Sequence, residues 1–316
     1  MSITKRIDAI TLVPPERHTP ILPAPKSVKI ELTGRCNYRC GFCALPTREK
    51  QPTRDMDWDF YTRIVREMRE AGVEELGVFL LGESFMSPNL LVNAIRFAKQ
   101  EVGYPYVFLT SNASLATPDR VKACMEAGLD SPKWSLTSAD EEQFSRVTGV
   151  RGTLWYKALE NMKAAKGVRD EVYARTGHRC GLYASSILYD GEQRAKLDQL
   201  IAELTPYLDE HYWLPLYSMG ALAIQREHEL GFRPTAGNQG RLGALRQPLP
   251  CWAAFTEGHI TSTGLLSACY FDPSDIWKVA DLNQVSFMEA WNSPDFQNLR
   301  KAHLRGDVSG TPCEDC

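Results

Sequence analysis

The chain has 316 residues, and 36 Lys and Arg against 39 Asp and Glu give it a formal charge of −3. With 43% hydrophobic and 24% charged residues, the composition excludes a disordered chain and is typical of one large or two moderate globular domains. The near-neutral charge argues against nucleic acid as an obligate partner, because phosphate binding usually leaves a strongly basic domain. No apolar run is long enough to cross a membrane.

Residues 1–25 contain prolines at positions 14, 15, 20, 23 and 25, which predict an extended N-terminal segment. Lys5 and Arg6 are followed by an apolar stretch too short for a secretory signal, so we expect a cytoplasmic protein. Because that compartment keeps thiols reduced, the nine cysteines indicate metal, cluster or catalytic sites instead of disulfides.

Residues 26–220 alternate short apolar strands with amphipathic helices. The predicted strands are 27–32, 76–81, 106–110, 133–136, 181–188 and 212–217. The predicted helices are 58–71, 89–100, 118–127, 154–166 and 192–208. This rhythm predicts an α/β fold, a partial (β/α)6 TIM-like barrel with its active site at the carboxyl ends of the strands.

The periodicity fails after the barrel. Residues 221–250 are rich in Gly and Pro and indicate a connector. Residues 251–316 predict a small α+β domain with a hairpin that turns at Gly264 and a helix over 286–305 that Pro294 interrupts.

A CxxxCxxC motif, formed by Cys36, Cys40 and Cys43, follows the first predicted strand. Three thiolates on one loop can hold three irons of a 4Fe-4S cluster and leave the fourth iron open, as metal catalysis requires. The alternative is a structural zinc site with a distant fourth cysteine, but zinc spacings favour CxxC pairs.

Residues 31–37 (ELTGRCN), this cysteine spacing and the aromatic Phe42 before the last cysteine resemble the radical S-adenosylmethionine superfamily. The resemblance implies that S-adenosylmethionine chelates the open iron and is cleaved reductively to a 5′-deoxyadenosyl radical, which abstracts a substrate hydrogen. It further implies a set of cofactor-binding residues: Phe42, Gly82, Glu83, Ser84, Ser111, Asn112 and Ser135. Gly82-Glu83-Ser84 stands where that family has Gly-Gly-Glu-Pro, and Leu81 and Ser84 depart from the motif.

A second cysteine set lies in the predicted C-terminal domain: Cys251, Cys269, Cys313 and Cys316. Four thiolates suit a closed cluster that passes electrons or shapes a pocket, and zinc is the alternative. The spacing C-x12-G-x4-C is similar to the SPASM and twitch extensions of radical S-adenosylmethionine enzymes. Since the chain stops at Cys316, the resemblance is to the twitch form, which implies one auxiliary 4Fe-4S cluster and two clusters in all.

The two remaining cysteines, Cys124 and Cys180, are expected to be buried and inert, which disfavours radical epimerisation because that reaction needs a nearby thiol. Polar and aromatic residues on the late strands are candidates to face a substrate. These are Tyr183, Ser185, Tyr189, Trp213, Tyr217 and Arg226.

Three functions remain open at the level of sequence. The first is oxidative modification of a peptide, with an electron donor such as flavodoxin or ferredoxin and, because little sequence precedes residue 26, a small separate leader-binding protein. The second is dehydrogenation of a sugar or aminocyclitol alcohol. The third, a non-catalytic electron carrier, is disfavoured by the open-site cysteine triplet. The cluster ligands do not encode the substrate or the bond that changes.

Overall fold

A single sheet organises the computed structural model, which describes residues 2–43, 45–47, 53–189, 191–217, 241, 249–272 and 277–316. Within these residues the strands are β1 Ser27–Ile30, β2 Glu75–Gly77, β3 Tyr106–Ser111, β4 Ser131–Ser135, β5 Tyr183–Ile187, β6 Glu210–Leu214, β7 Glu257–Ile260, β8 Leu265–Ser267 and β9 Lys278–Asp281. Their order is β6-β5-β4-β3-β2-β1-β7-β8-β9. All neighbours from β6 to β1 are parallel, so the predicted α/β fold with a parallel barrel sheet is confirmed.

The helices follow the strands as an α/β barrel requires. Within the described residues they are α1 Ile3–Thr11, α2 Trp58–Glu70, α3 Pro88–Arg96, α4 Pro118–Glu126, α5 Glu141–Thr148, α6 Thr153–Thr176, α7 Gly191–Leu204, α8 Phe287–Trp291 and α9 Pro294–Arg305. In α2, Asp57 caps the first turn by accepting the Phe60 amide at 2.9 Å, and the apolar face packs into the core. Among the described residues, no helix combines the length and the apolar character needed to cross a bilayer.

Alternating side chains give the barrel sheet two different faces. On β3, Val107 and Leu109 are fully buried in the hydrophobic core, whereas Tyr106, Phe108 and Thr110 line a cavity inside the barrel. We call this cavity the lumen. Its volume is about 170 Å³.

The N-terminal segment is helical where the prolines predicted an extended chain, so that prediction is wrong for α1. The prolines begin only after α1, and Ser2 caps the helix by accepting the Lys5 amide. Ile3 and Ile10 are buried on one face. The helix lies against the first residues of the barrel strands, where the Ile3 amide donates to Glu210 on β6 at 2.9 Å. It therefore closes the amino end of the lumen.

Two barrel elements differ from the predicted pattern. Strand β2 ends at Gly77, although apolar residues continue to Leu81, because the chain leaves the ladder there and turns toward the end of β1. Helix α5 was not predicted. Asp140 caps it by accepting the Gln143 amide at 2.8 Å, and Gly149 ends it with a φ of 66°.

The C-terminal part continues the barrel sheet. Strand β7 pairs in parallel with β1, from Ser27 opposite Glu257 to Ile30 opposite Ile260. The predicted hairpin is present as β7 and β8 with Gly264 in the turn, at a φ of 85°. Pro294 interrupts the predicted last helix and begins α9. The predicted connector, residues 221–250, falls mostly on residues 221–240 and 242–248, outside the described residues, and the domain boundaries remain predictions.

Candidate cluster and cofactor site

The first three cysteines lie on a loop that leaves the carboxyl end of β1. Two backbone bonds fix this loop to the end of α5: the Arg39 amide donates to Thr148 and the Gly41 amide to Val147, both at 2.8 Å. The Tyr38 ring packs edge-on against Phe144 of α5, with 5.4 Å between ring centroids. Helix α5, which sequence reasoning missed, therefore holds the cysteine loop in place.

The three thiols are close enough to affect one another's ionisation. Burial, then the Glu83 charge and Cys43, raise the pKa of Cys36 to about 12. Burial, then Cys43 and Cys36, raise the pKa of Cys40 well above its ordinary value. The Tyr38 amide lies 3.4 Å from Cys36 Sγ and the Leu45 amide 3.4 Å from Cys43 Sγ, in positions to donate to thiolates. Grouped thiolates of this kind need a bound cation, so the donor set fits an iron–sulfur cluster.

Gly82 brings the turn after β2 against the cysteine loop. A Cβ at this position would lie 1.9 Å from the Thr33 carbonyl oxygen, so only glycine permits the approach. Next to it, the Glu83 amide donates to the Arg35 carbonyl at 2.8 Å. The structure therefore gives Gly82 a role of its own, which is to permit close backbone contact between the two segments.

Glu83, Ser111 and Asn112, three of the cofactor-binding residues that the resemblance implies, form one network at neighbouring strand ends. Glu83 is buried and accepts three hydrogen bonds: from Ser111 Oγ at 2.9 Å, the Asn112 amide at 2.8 Å and the Phe85 amide at 3.1 Å. Burial outweighs these donors and raises the pKa of Glu83. Since carboxylate oxygens accept about four hydrogen bonds in total, the group retains capacity for an ammonium donor.

Ser84, Ser135 and Phe42, the other predicted cofactor residues, lie outside the Glu83 network. Ser84 is buried and donates to the Val78 carbonyl at 2.8 Å, so its hydroxyl turns away from the network. Ser135 is the last residue of β4 and accepts a hydrogen bond from Lys133 at 3.1 Å. Phe42 is half-buried in the cysteine loop and packs against the core. Their cofactor contacts remain predictions.

Glu31 connects this site to the C-terminal hairpin. It is 1% exposed, and its Oε1 accepts the Leu81 and Gly82 amides at 3.3 and 3.2 Å. Its Oε2 accepts both the amide and the hydroxyl of Ser262, at 3.3 and 3.0 Å. The glutamate that begins the recognised motif is therefore a structural link between both parts of the chain.

The four C-terminal cysteines also come together. Burial, then Cys251, raise the pKa of Cys269 well above its ordinary value, and Cys313 and Cys316 add to the rise. Burial, then Cys251 and Cys316, raise the pKa of Cys313 to about 12. The set fits a second cluster for the same reason as the first.

His303 of α9 lies between two members of this second set, which sequence reasoning did not anticipate. Its Nδ1 accepts the Cys251 amide at 3.2 Å, and its Nε2 lies 3.4 Å from Cys313 Sγ. An amide can only donate, so Nδ1 carries no proton and the ring proton sits on Nε2, pointing at the sulfur. Burial lowers the pKa of His303 to about 4, which keeps the ring neutral.

The lumen lies inside the barrel, and aromatic and cationic side chains line it. Among its lining residues are Lys29, Phe79, Phe108, Thr110, Lys133 and Tyr270. Lys29 pairs with Glu257 at 2.7 Å and lies 4.9 Å from the centroid of the Tyr270 ring. Sequence reasoning missed both lysines, although a Lys inside an apolar barrel strand was the available signal.

The remaining sequence candidates are the two other cysteines and the side chains of the late strands. Cys124 and Cys180 are buried, as expected, and burial raises the pKa of Cys124 to about 12. Of the late-strand candidates, Tyr217 lines the lumen, and Arg226 lies outside the described residues. In the described part of the chain, no three His, Cys, Asp or Glu side chains converge as ligands of a single metal ion.

Comparisons with known proteins agree with this site. The Radical SAM superfamily profile matches residues 30–180, and an iron-sulfur cluster-binding domain, SPASM, matches residues 251–316. GTP 3′,8-cyclase of Chlorobaculum tepidum is 32% identical over 204 residues, 63% of this chain and 59% of that protein. PqqA peptide cyclase of Methylobacterium sp. (strain 4-46) is 32% identical over 133 residues, 42% of this chain and 34% of that protein. The matched stretches span less than two thirds of both relatives.

A solved structure shares the fold over most of the chain. Streptococcus suis SuiB bound to precursor peptide SuiA superimposes with a TM-score of 0.64 at 17% identity, over 90% of this chain and 68% of that one. The barrel sheet, the cysteine triplet and these matches together define a radical SAM superfamily enzyme. Within that superfamily the chain belongs with the enzymes that carry a C-terminal SPASM iron–sulfur domain.

Proposed function

We propose that this enzyme oxidatively modifies a peptide, using two 4Fe-4S clusters and S-adenosylmethionine. When bound, the cluster and S-adenosylmethionine supply a 5′-deoxyadenosyl radical that abstracts a substrate hydrogen. Cys36, Cys40 and Cys43 would hold the first cluster. Cys251, Cys269, Cys313 and Cys316 would hold the auxiliary cluster.

The residues around the lumen would bind and enclose the reactants. Glu83, oriented by Ser111 and Asn112, would accept the methionyl ammonium, and Ser135 would face the ribose. Helix α1 closes the amino end of the lumen, so water and substrate would enter from the carboxyl end. A closed, partly apolar chamber would protect a reactive radical from solvent.

One observation carries this proposal: the cysteine loop and the Glu83 network meet through Gly82, at the carboxyl ends of strands whose side chains line the lumen. The lumen volume of about 170 Å³ is comparable to an engineered cavity of roughly 150 Å³ that binds benzene, so one side chain would fit. The similarity to PqqA peptide cyclase, and the fold shared with SuiB bound to its precursor peptide, favour a peptide as the source of that side chain. A flavodoxin or ferredoxin donor and a small leader-binding protein belong to the same proposal.

The test is deuterium transfer into 5′-deoxyadenosine, measured by mass spectrometry after anaerobic reconstitution and reduction. Deuterated precursor peptides, deuterated aminocyclitols and deuterated GTP are offered in parallel. We expect deuterium in the nucleoside from a peptide. Transfer only from an aminocyclitol or from GTP would overturn the peptide assignment, and no nucleoside under any condition would overturn the radical chemistry.

Two cysteine variants control this test. Cys43→Ala should abolish nucleoside formation and remove the first cluster from the iron count. Cys124→Ala removes a buried thiol that belongs to neither set, and it should leave the iron content and nucleoside yield near those of the wild type.

A further inference from the structure

Among the residues that the structure describes, one cation of the lumen has no counter-ion. The other cations are paired: Arg6 with Glu75 at 2.6 Å, Lys29 with Glu257 at 2.7 Å and Arg241 with Asp8 at 2.6 Å. Lys133 has no carboxylate partner among the described residues. Its one hydrogen bond there is to Ser135 Oγ at 3.1 Å.

The surroundings of Lys133 make this imbalance costly. The side chain projects from β4 into the lumen beside Thr110, its neighbour in the ladder. Burial, then the charge of Lys29, lower the pKa of Lys133 to about 7. A fixed anion paired with Lys133 would remove this penalty, and the described residues supply no such partner.

We propose that Lys133 binds a carboxylate of the substrate, supplied by a Glu or Asp side chain or by a peptide C-terminus. The inference rests on the proposed function, since it names the chemistry of the segment that enters the lumen. Ser135, the hydrogen-bond partner of Lys133, is the predicted ribose contact, so the carboxylate would be held just below the reacting atoms. Lys133 would then fix which atom of the segment faces the radical.

The shape and charge of the lumen favour a carboxylate over a larger anion. Phe79, Phe108 and Tyr270 leave a chamber of about 170 Å³, which suits a single short side chain. One unpaired ammonium balances one negative charge, whereas a phosphate group carries nearly two. Ammonium–carboxylate hydrogen bonds are also stronger than neutral ones in such an enclosed site.

The test measures the reactivity of the Lys133 amine in the wild-type reconstituted enzyme with S-adenosylmethionine, at neutral pH. A limiting dose of an acetylating reagent is applied, and modification of each lysine is quantified by peptide mass spectrometry. The probes are N-acetylglutamate N-methylamide for a side-chain carboxylate, N-acetylglycine for a C-terminal carboxylate, and N-acetylglutamine N-methylamide as the neutral match to the first. The exposed Lys157 serves as an internal control.

We expect acetylation of Lys133 to fall with one of the carboxylate probes and to stay unchanged with the glutamine probe. If the bound anion raises the pKa of the amine by one unit, roughly tenfold less neutral amine is left to react. The probe that protects identifies the source of the carboxylate. Equal labelling of Lys133 with all three probes would overturn the inference, as would equal protection by the glutamine probe.

Three variants extend the test to the substrate found by deuterium transfer. Lys133→Met should raise KM for that substrate more than it lowers kcat, Lys133→Arg should restore part of the loss, and Lys157→Met should change neither. Nucleoside formation without protection of Lys133 would contradict this inference alone. Protection without nucleoside formation would support the carboxylate site and contradict the proposed radical function.

Discussion

Gly82 shows how one residue determines the geometry of the site. The turn after β2 and the cysteine loop touch at this position, and a methyl group there would meet the Thr33 carbonyl at 1.9 Å and the Arg35 carbonyl at 3.0 Å. Both neighbours are backbone, so neither can move without shifting the cysteine loop or the Glu83 network.

Gly82→Ala should therefore cost about 1–3 kcal/mol of stability, the usual range for overpacking, and should reduce the iron bound by the first cysteine set. Iron content and thermal unfolding of the reconstituted protein measure both effects. The matched control is Gly167→Ala in α6, where a Cβ meets nothing within 4 Å and alanine should stabilise the helix by about 0.5–1 kcal/mol. Full iron content in Gly82→Ala would contradict the steric argument.

His303 leads to a prediction about the auxiliary cluster. Its Nε2 proton points at Cys313 Sγ, and such a hydrogen bond stabilises the more negative, reduced state of an iron–sulfur cluster. His303→Leu should lower the reduction potential of the auxiliary cluster, and His303→Gln, which can still donate, should restore part of the change. Potentiometric titration followed by electron paramagnetic resonance measures this. An unchanged potential in His303→Leu would mean that the ring only fills space.

Strands β1 and β7 lie side by side in the sheet, and a buried ion pair joins them. Burial alone would raise the pKa of Glu257, but Lys29 and His259 lower it to about 2. A carboxyl group with a lowered native pKa stabilises the fold above its ordinary pKa, and this contribution is lost as pH falls from about 4.5 toward 2.

Glu257→Gln should reduce thermal stability at neutral pH by the equivalent of about 3 kcal/mol, because Lys29 then loses its partner. The difference between wild type and variant should narrow as the pH is lowered through that range. Circular dichroism melts across a pH series measure it. A stability gap that stays constant down to the lowest pH would refute the assignment of the charge to Glu257.

The sequence predicts the strands and helices of this protein better than it predicts their ends. The alternation of apolar strands with amphipathic helices was sufficient to predict the parallel barrel, because each strand–helix unit buries one face through local contacts. Strand β2 ended earlier than its apolar run because Gly82 approaches the cysteine loop, a contact between residues far apart in sequence. The sequence pattern does not predict helix α1, because the prolines that follow it favour an extended segment. Helix α5 was missed although Asp140 and Gly149 mark its two ends.

The site shows a similar division. The two cysteine sets followed from motif spacing, and the Glu83, Ser111 and Asn112 group from the resemblance to the radical S-adenosylmethionine superfamily. Lys133 and His303 did not follow from the sequence. Lys133 matters because, among the described residues, no carboxylate is paired with it. His303 matters because of the atoms that flank its ring. The sequence of a single chain contains neither piece of information.

Arg300 joins the N-terminal segment to the C-terminal region of the chain. It is fully buried, donates to the Ala254 carbonyl at 2.7 Å and to the Pro20 carbonyl at 3.1 Å. Its guanidinium lies 4.3 Å from the centroid of the Trp291 ring and 4.1 Å from that of Phe296. Burial, then the charge of Arg17, lower its pKa to about 9.

Arg300→Met should destabilise the protein by about 3 kcal/mol, since it leaves buried carbonyls without a donor. It should also weaken iron binding at the second cysteine set, because α9 directly precedes Cys313 and Cys316 in the chain. Arg305→Met, an exposed arginine on the same helix, is the control and should change little. Thermal unfolding and iron analysis measure both variants. Equal behaviour of the two would show that Arg300 does not join these regions.

The parallel pairing of β1 with β7 limits how this enzyme could be recombined with its relatives. The two family matches are separated by residues 181–250, which suggests a convenient crossover point for chimeras. Yet the incoming part would supply a strand in the middle of the sheet, opposite Ser27–Ile30, and a carboxylate to replace Glu257 against Lys29. A successful exchange of C-terminal parts would therefore have to transplant this strand register together with the cysteines.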